Sequence, residues 1–199
     1  ARGTFDIVGD TSENYPDKPG KAGSASWGGI RYDHYPDIHK DADGGAVHCP
    51  ELVQRILDGG HEITSHTYRH VLYGPKPLVY GGRQPFENLA EVTQDLRRLD
   101  ELMRRDYGYA IRLSRPPHYV DSTKDGFTSY DAHALLGYQY LAASFDGAGW
   151  LPLASFDAEV DAMLCPMKRA LEQNPDCLCG QIIFQKDGYN MARRSPVAQ

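Results

Sequence analysis

The sequence lacks the features that mark several large classes of protein. Its apolar stretches fall well short of the about 20 residues that a membrane-spanning helix needs, and no charged leader followed by an apolar run opens the chain. The formal net charge of −6 does not favour binding to nucleic acid or to an anionic membrane surface. There is no internal repeat and no low-complexity tract. We therefore expect a globular protein with no membrane span and no nucleic-acid partner, and the sequence leaves its oligomeric state open.

Cysteine is scarce. The four cysteines are Cys49, Cys165, Cys177 and Cys179, and only the last two are close together. Their C-x-C spacing lacks the two-residue gap of common zinc knuckles. We expect buried thiols or one disulfide in preference to a structural zinc site, and neither outcome identifies the cellular compartment.

A long irregular segment interrupts an otherwise patterned chain. Asp, Pro, Gly and His are scattered through residues 10–48, a composition that is typical of a surface excursion. A chain of 199 residues fits one domain. We predict a single domain over residues 1–199, with a long irregular insertion at about 10–48.

Short apolar stretches alternate with amphipathic ones along the rest of the chain. The clearest amphipathic stretch is 85–107, where apolar residues recur at helical spacing among charged ones. Such alternation is typical of an α/β fold with a parallel sheet or barrel. The predicted strands are 4–9, 61–64, 109–113, 138–144 and 181–185, and the predicted helices are 50–58, 85–107, 131–136 and 157–173.

Chemically useful side chains follow the predicted strands. In α/β folds the functional site lies at the carboxyl ends of the strands. Here those ends lead into Ser65-His66, Arg115-Pro116, Asp146 and Lys186-Asp187. The sequence therefore predicts a functional site at that edge of the sheet.

Two histidine patterns compete as a metal site. His61-Glu62 followed by His66 resembles the HExxH helix of metalloproteases, but that helix needs its histidines four residues apart and these are five apart. His66 and His70 are four apart, so a helical turn starting at Ser65 would aim both rings the same way. The plainer alternative is that both are surface or satisfied core histidines. The surrounding residues favour the metal pair.

Five segments of the chain together resemble one known family. The segment 52–70, a helix followed by Gly-His-Glu-Ile and His-Thr-x-x-His, resembles the second motif of the polysaccharide deacetylases, the NodB-like proteins of carbohydrate esterase family four. Residues 1–9 resemble the strand before it, 114–117 the third motif, 144–150 the fourth, and 180–187 the strand of the last motif. The resemblance covers almost the whole chain, and the histidine motif is its most specific part.

The resemblance implies a fold and an activity. The fold would be a distorted (β/α) barrel, incomplete at both ends. The activity would be metal-dependent removal of acetyl groups from N-acetylated sugars or polysaccharide. The metal, Zn²⁺ or alternatively Co²⁺ or Ni²⁺, would be held by His66 and His70 with a carboxylate. Residues given catalytic roles by the resemblance are Arg115, Asp146 and Lys186, and those given substrate contacts are Pro116, Pro117, His118 and Trp150.

Three departures from the family pattern bear on catalysis. The first motif, which holds the catalytic base and the metal-binding aspartate, precedes the segment at which this chain starts, so we expect it upstream of Ala1; Asp6 only partly imitates it. The usual acid histidine of the last motif aligns with Lys186, which is either a tuned proton donor or a solvated turn residue. His118, where the family usually has tyrosine or phenylalanine, is a candidate replacement for that acid.

Other interpretations remain open. Trp150 is either a sugar-binding wall or an ordinary packed tryptophan, and Asp146 either tunes the proton donor or caps a turn. The protein as a whole could act on small C–N bonds as an amidohydrolase, or bind carbohydrate without catalysis. The resemblance slightly favours an extracellular or cell-envelope location over the cytoplasm.

Overall fold

The structure, a computed structural model, describes residues 2–10, 12, 26–27, 30–31, 44–75, 84–147, 153 and 155–185. Short strands and longer helices alternate along this part of the chain. In chain order they are β1 (Thr4–Ile7), β2 (Ser26–Trp27), β3 (Ile30–Arg31), α1 (Pro50–Asp58), β4 (Glu62–Ser65), α2 (Leu89–Tyr107), β5 (Leu113–Ser114), α3 (Ser129–Leu136), β6 (Gln139–Tyr140), β7 (Phe145–Asp146), α4 (Phe156–Gln173) and β8 (Ile183–Phe184).

The chain forms two compact units. The first contains Ala1–Lys18 and Lys40–Leu141, and the second contains Pro19–His39 and Ala142–Gln199. The single domain inferred from the sequence stays a prediction, and most of its insertion at 10–48 lies outside the described residues. Among the described residues, no helix combines the length and the apolar character needed to cross a membrane.

A four-stranded parallel sheet is the centre of the first unit. Its strand order is β1-β4-β5-β6, and each strand is parallel to the next. Helices α1, α2 and α3 lie between these strands in the chain, so the sheet is built from successive strand–helix–strand crossovers, as in a (β/α) barrel. The predicted α/β class is therefore confirmed, and the first unit has the sequential parallel strand order that such a barrel requires.

Helix α2 covers one face of this sheet. Val92, Leu96, Leu99 and Met103 recur at helical spacing and are fully buried in one cluster with Ile63 of β4. Burying each such side chain stabilises the fold by about 1.5–3 kcal/mol. The other face of β4 is thereby left for polar groups.

The ends of α2 follow from its flanking residues. Asn88 caps the amino end by accepting a hydrogen bond from the backbone N–H of Glu91 at 3.0 Å. Gly108 ends the helix in the left-handed conformation, at φ 62°. The prediction of a helix at 85–107 was therefore right in type, but the helix begins four residues later because the cap is at Asn88.

The predicted strand at 109–113 is shorter and later than expected. The backbone N–H of Ile111 donates to the Asp100 carboxylate at 2.9 Å, so this part of the chain does not join the sheet ladder. Pairing begins only at Leu113. The predicted strand at 138–144 is likewise replaced by two pairs of strand residues, β6 in the first unit and β7 in the second.

The second unit contains two small paired elements and one long helix. Strands β2 and β3 pair antiparallel, whereas β7 and β8 pair parallel, with Asp146 opposite Phe184. Ser155 caps the amino end of α4 by accepting from the backbone N–H of Ala158 at 3.2 Å.

Candidate metal centre

The sheet register places four polar side chains on one face of the first unit's sheet. Asp6 of β1 is opposite Thr64 of β4, and Ser65 is opposite Ser114 of β5. His66 follows Ser65, and Arg115 follows Ser114. Because side chains alternate along a strand, His66 and Arg115 therefore lie on the same side of the sheet as Thr64. This side faces away from Ile63 and α2. We call the set Asp6, Thr64, His66 and Arg115 the polar face.

An ion pair joins the first and third strands of the polar face. The Arg115 guanidinium donates to Asp6 Oδ2 at 2.5 Å, and Thr64 Oγ1 donates to Asp6 Oδ1. Arg115 Nε also donates to the Leu141 carbonyl at 3.0 Å, beyond β6. The exposed fractions of the Arg115 and Asp6 side chains are only 6% and 16%. The carboxylate of Asp6 is thus held in one orientation by two donors.

The ring of His66 is oriented by main-chain contacts. Its backbone N–H donates to the Ile7 carbonyl at 2.9 Å, and its Nδ1 lies 2.8 Å from the Arg115 carbonyl oxygen. A carbonyl can only accept, so Nδ1 carries a proton, and in the neutral form of the ring the lone pair is therefore on Nε2. A backbone carbonyl behind a ring nitrogen is the usual arrangement for a metal-binding histidine.

His70 approaches His66 through a loop and not through a helix. The two ring centroids are 5.0 Å apart. The predicted helical turn from Ser65 does not form, since residues 66–70 are irregular and Thr67 and His70 have φ of 72° and 56°. The left-handed backbone reverses the chain and brings the rings together by another route. The helical geometry was wrong, whereas the proximity of the two rings is present.

His118 extends the histidine pair. Its ring centroid lies 5.7 Å from that of His70. His118 and Tyr119 also have positive φ, both 55°, within the short 3-10 turn Pro117–Tyr119. In the part of the chain that the structure describes, the non-glycine residues with positive φ all lie in the two loops after β4 and β5. Such backbone is costly, by about 1–3 kcal/mol each, and tends to cluster at functional sites.

The remaining predicted site residues lie in different surroundings. Pro116 and Pro117 are buried, so neither offers an open wall. Asp146 lies on β7 in the second unit and is exposed. Trp150 and Lys186 lie outside the described residues.

A second carboxylate lies just after β1. Asp10 Oδ1 is 3.2 Å from His48 Nε2 and accepts the backbone N–H of Ser12 at 2.9 Å. Burial alone would raise the pKa of Asp10, but the hydrogen bonds from Ser12 and His48 outweigh it and the pKa is lowered. Asp10 therefore stays ionised near neutral pH, at the same edge of the sheet as the histidines.

The donor set agrees with a divalent metal only in part. Two imidazoles close together, one with its tautomer set by a carbonyl, are suitable ligands for zinc. Among the residues that the structure describes, no three His, Cys, Asp or Glu side chains are grouped so as to hold an ion. The described residues therefore bring two imidazoles close together but do not form a complete metal-ligand set.

In the sequence Asp6 only partly imitates the family's first motif, because Ile7-Val8-Gly9 follow it instead of Asp-Gly. A usable signal existed, since an acidic side chain in the middle of a strand needs a partner where it is largely buried, as Asp6 is. The predicted arginine after β5, Arg115, is that partner. Strand register brings the two together across 109 positions of sequence.

Comparison with known proteins identifies a family. The family described as "Polysaccharide deacetylase" matches residues 2–140. Among curated proteins, no sequence matches this chain significantly.

Several solved structures resemble the chain at low identity. Peptidoglycan deacetylase PdaC from Bacillus subtilis is 17% identical, with a TM-score of 0.48, over 77% of this chain and 60% of that one. A family 4 carbohydrate esterase from Streptomyces lividans in complex with acetate is 22% identical, with a TM-score of 0.48, over 77% and 64%. The chitin deacetylase of the fungal pathogen Colletotrichum lindemuthianum is 20% identical, with a TM-score of 0.49, over 75% and 57%. This chain spans about 60% of the length of these proteins.

Proposed function

Because this chain belongs to the polysaccharide deacetylase family, we propose that it removes acetyl groups from N-acetylated sugars or polysaccharide with the help of a divalent cation. The observation that carries the proposal is the pair His66 and His70. The rings are 5.0 Å apart, and the lone pair of His66 is fixed on Nε2 by the Arg115 carbonyl. Together they form half of a metal site at the edge of the sheet where the chemistry of such folds occurs.

His66 and His70 would hold the ion, with Zn²⁺ the first candidate and Co²⁺ or Ni²⁺ as substitutes. When bound, such an ion polarises an acetyl carbonyl and acidifies a water molecule. We propose the imidazole Nε2 of His66 as the ligand nitrogen, which requires no change of tautomer because Nδ1 already donates to a carbonyl. This ligand is therefore organised before a metal binds.

Asp6 supplies the carboxylate of the site. Arg115 and Thr64 orient its two oxygens, and a carboxylate held in this way can take a proton from an attacking water. Arg115 provides a planar guanidinium, which is suited to fixing a carboxylate in one plane. Asp6 is thus the base and Arg115 its positioning residue.

His118 supplies the proton that releases the amine. Its ring lies 5.7 Å from that of His70, close enough to face the same substrate group. An imidazole is the side chain best suited to proton transfer near neutral pH.

A second candidate function is carbohydrate binding without catalysis. The observation that favours it is that no three metal-binding side chains are grouped among the described residues. A chain with only two ligands would hold a metal weakly and could still bind sugar in a groove. Such a protein would be a degenerate deacetylase scaffold.

Metal binding separates the two candidates. The full chain is stripped with a chelator and titrated with Zn²⁺ by calorimetry, alongside the double variant His66→Ala, His70→Ala. The control is His61→Ala, because His61 lies before β4, where its Nδ1 accepts from the backbone N–H of Gly3 at 3.0 Å. If the unchanged chain and His61→Ala each bind one equivalent of Zn²⁺ and the double variant binds none, the result supports the metal-dependent deacetylase.

Product analysis then tests the reaction. Acetate release from N-acetylglucosamine oligomers by the zinc-loaded chain, lost in Asp6→Asn, is the expected result. Hydrolysis of a small amide such as acetamide, without action on the oligomers, would favour an amidohydrolase instead. A chain that binds the oligomers, but does not bind zinc and does not release acetate, would be the non-catalytic module.

A further inference from the structure

The carboxylate of Asp95 is completely buried in the first unit, although charged residues lie around it. Asp95 is on α2, next to the buried Val92, Leu96 and Leu99, and its side chain has no exposed surface. An ionised carboxylate in such a place is costly unless several donors satisfy it. Its partners therefore indicate what it is for.

The carboxylate of Asp95 accepts hydrogen bonds from Tyr68 and Arg69, which lie between His66 and His70 in the chain. Oδ1 accepts the backbone N–H of Tyr68 at 2.7 Å and that of Arg69 at 3.3 Å. Oδ2 accepts Arg69 Nε at 2.6 Å. One side chain of α2 thus satisfies two main-chain donors and one side-chain donor of the histidine loop, residues 66–70.

The histidine loop depends on such contacts because it belongs to no helix or strand. Its left-handed residues Thr67 and His70 do not continue the sheet ladder. The Tyr68 carbonyl accepts from the backbone N–H groups of Gly9 and Asp10, both at 2.8 Å, which ties the loop to the end of β1. On the other side of the same segment, the N–H groups of Tyr68 and Arg69 donate to Asp95, which attaches the loop to α2. Between these two anchors, the backbone direction at His66 and His70 is fixed.

We propose that Asp95 is a positioning residue that holds the histidine loop in the conformation in which His66 and His70 bind one divalent cation. This inference rests on the proposed function, since it concerns the metal affinity of the same histidines. It adds a residue on a different element, which contacts neither the substrate nor the ion. Loss of outer contacts that orient metal-binding histidines typically weakens metal affinity by about 10–100-fold.

The experiment is a titration of the full, chelator-stripped chain with Co²⁺, followed by the visible absorption of the bound ion. The test variant is Asp95→Asn, which keeps the shape but removes the charge and one acceptor oxygen. The matched control is Asp100→Asn on the same helix. Asp100 also accepts a backbone N–H, that of Ile111, and pairs with Arg104 at 2.7 Å, but it does not contact the histidine loop.

We expect Asp95→Asn to bind Co²⁺ about 10–100-fold more weakly than the unchanged chain and with an altered absorption spectrum. Asp100→Asn should lose stability yet bind Co²⁺ with unchanged affinity and spectrum. A purely structural role would move the unfolding midpoint of both variants and the spectrum of neither. A folded Asp95→Asn chain with unchanged Co²⁺ binding overturns the inference and leaves the proposed function standing.

Two further results complete the test. If Asp95→Asn does not fold, Asp95→Glu keeps the charge but displaces the carboxylate by one methylene, and unchanged Co²⁺ binding in that variant overturns the inference. If the unchanged chain binds no Co²⁺ and no Zn²⁺, the metal-dependent function fails and this inference fails with it.

Discussion

Breaking the ion pair between Asp6 and Arg115 should loosen the end of the sheet where the two strands meet. The perturbation is Asp6→Asn, which leaves a guanidinium that is only 6% exposed opposite a neutral amide. Removing one partner of a buried pair costs about 3–5 kcal/mol. Because Asp6 is 16% exposed and Arg115 keeps its bond to Leu141, we expect the lower part of that range, about 3 kcal/mol.

The assay is amide hydrogen exchange, measured by mass spectrometry on peptides from the first unit that cover β4 and β5. A loss of about 3 kcal/mol corresponds to exchange faster by about two orders of magnitude. The matched control is Glu87→Gln, which breaks the Lys124–Glu87 pair, also 2.5 Å long, where the two side chains are 31% and 58% exposed. That change should speed exchange a few-fold at most.

A double-mutant cycle makes the test decisive. Arg115→Met alone should cost stability, but Asp6→Asn on that background should cost much less, with a coupling energy of about 1–3 kcal/mol. Additive effects of the two changes, or equal effects of Asp6→Asn and Glu87→Gln, would refute the argument that this pair is a buried and coupled one.

Three further predictions concern stability. Burial lowers the pKa of His133 from 6.5 to about 4, so between these pH values the folded state binds fewer protons than the unfolded chain. The free energy of unfolding should therefore fall by about 3 kcal/mol as the pH drops through this window and be unaffected above it. His133→Phe should remove this pH dependence in urea titrations. Asn88→Ala should cost about 1 kcal/mol of unfolding free energy, with Asn88→Ser restoring most of it, because either side chain can accept the N–H of Glu91. Leu99→Ala, at a fully buried position, should cost about 2–5 kcal/mol, whereas Leu135→Ala, 62% exposed, should cost about 0.5 kcal/mol or less by the same urea titration.

The helices and the class of fold could be predicted because their causes are local. Apolar residues at helical spacing placed α2 correctly, and the carboxyl ends of the predicted strands led to His66 and Arg115. This approach fails where a distant side chain, and not a neighbouring strand, accepts a backbone hydrogen bond. Asp100 takes the N–H of Ile111 out of the sheet, and nothing near residue 111 signals this.

The sequence pointed to neighbouring histidines at the candidate site, but it did not predict the geometry that brings them together. The spacing of His66 and His70 suggested a helical turn, but the conformation depends on left-handed backbone at Thr67 and on the carboxylate of Asp95, 27 positions from Tyr68. The role of Asp6 depends on strand register, which is a property of the assembled sheet. Long-range contacts of this kind leave little trace in a single sequence.

Arg115 serves the site through two chemically independent parts. Its guanidinium orients the carboxylate of Asp6, whereas its main-chain carbonyl orients the ring of His66. Every amino acid has that carbonyl, so a substitution at position 115 that preserves the backbone would keep the imidazole aligned while releasing the carboxylate. In descendants of this chain, the proposed acid–base chemistry could therefore decay by one side-chain change while the tautomer of the His66 imidazole persists.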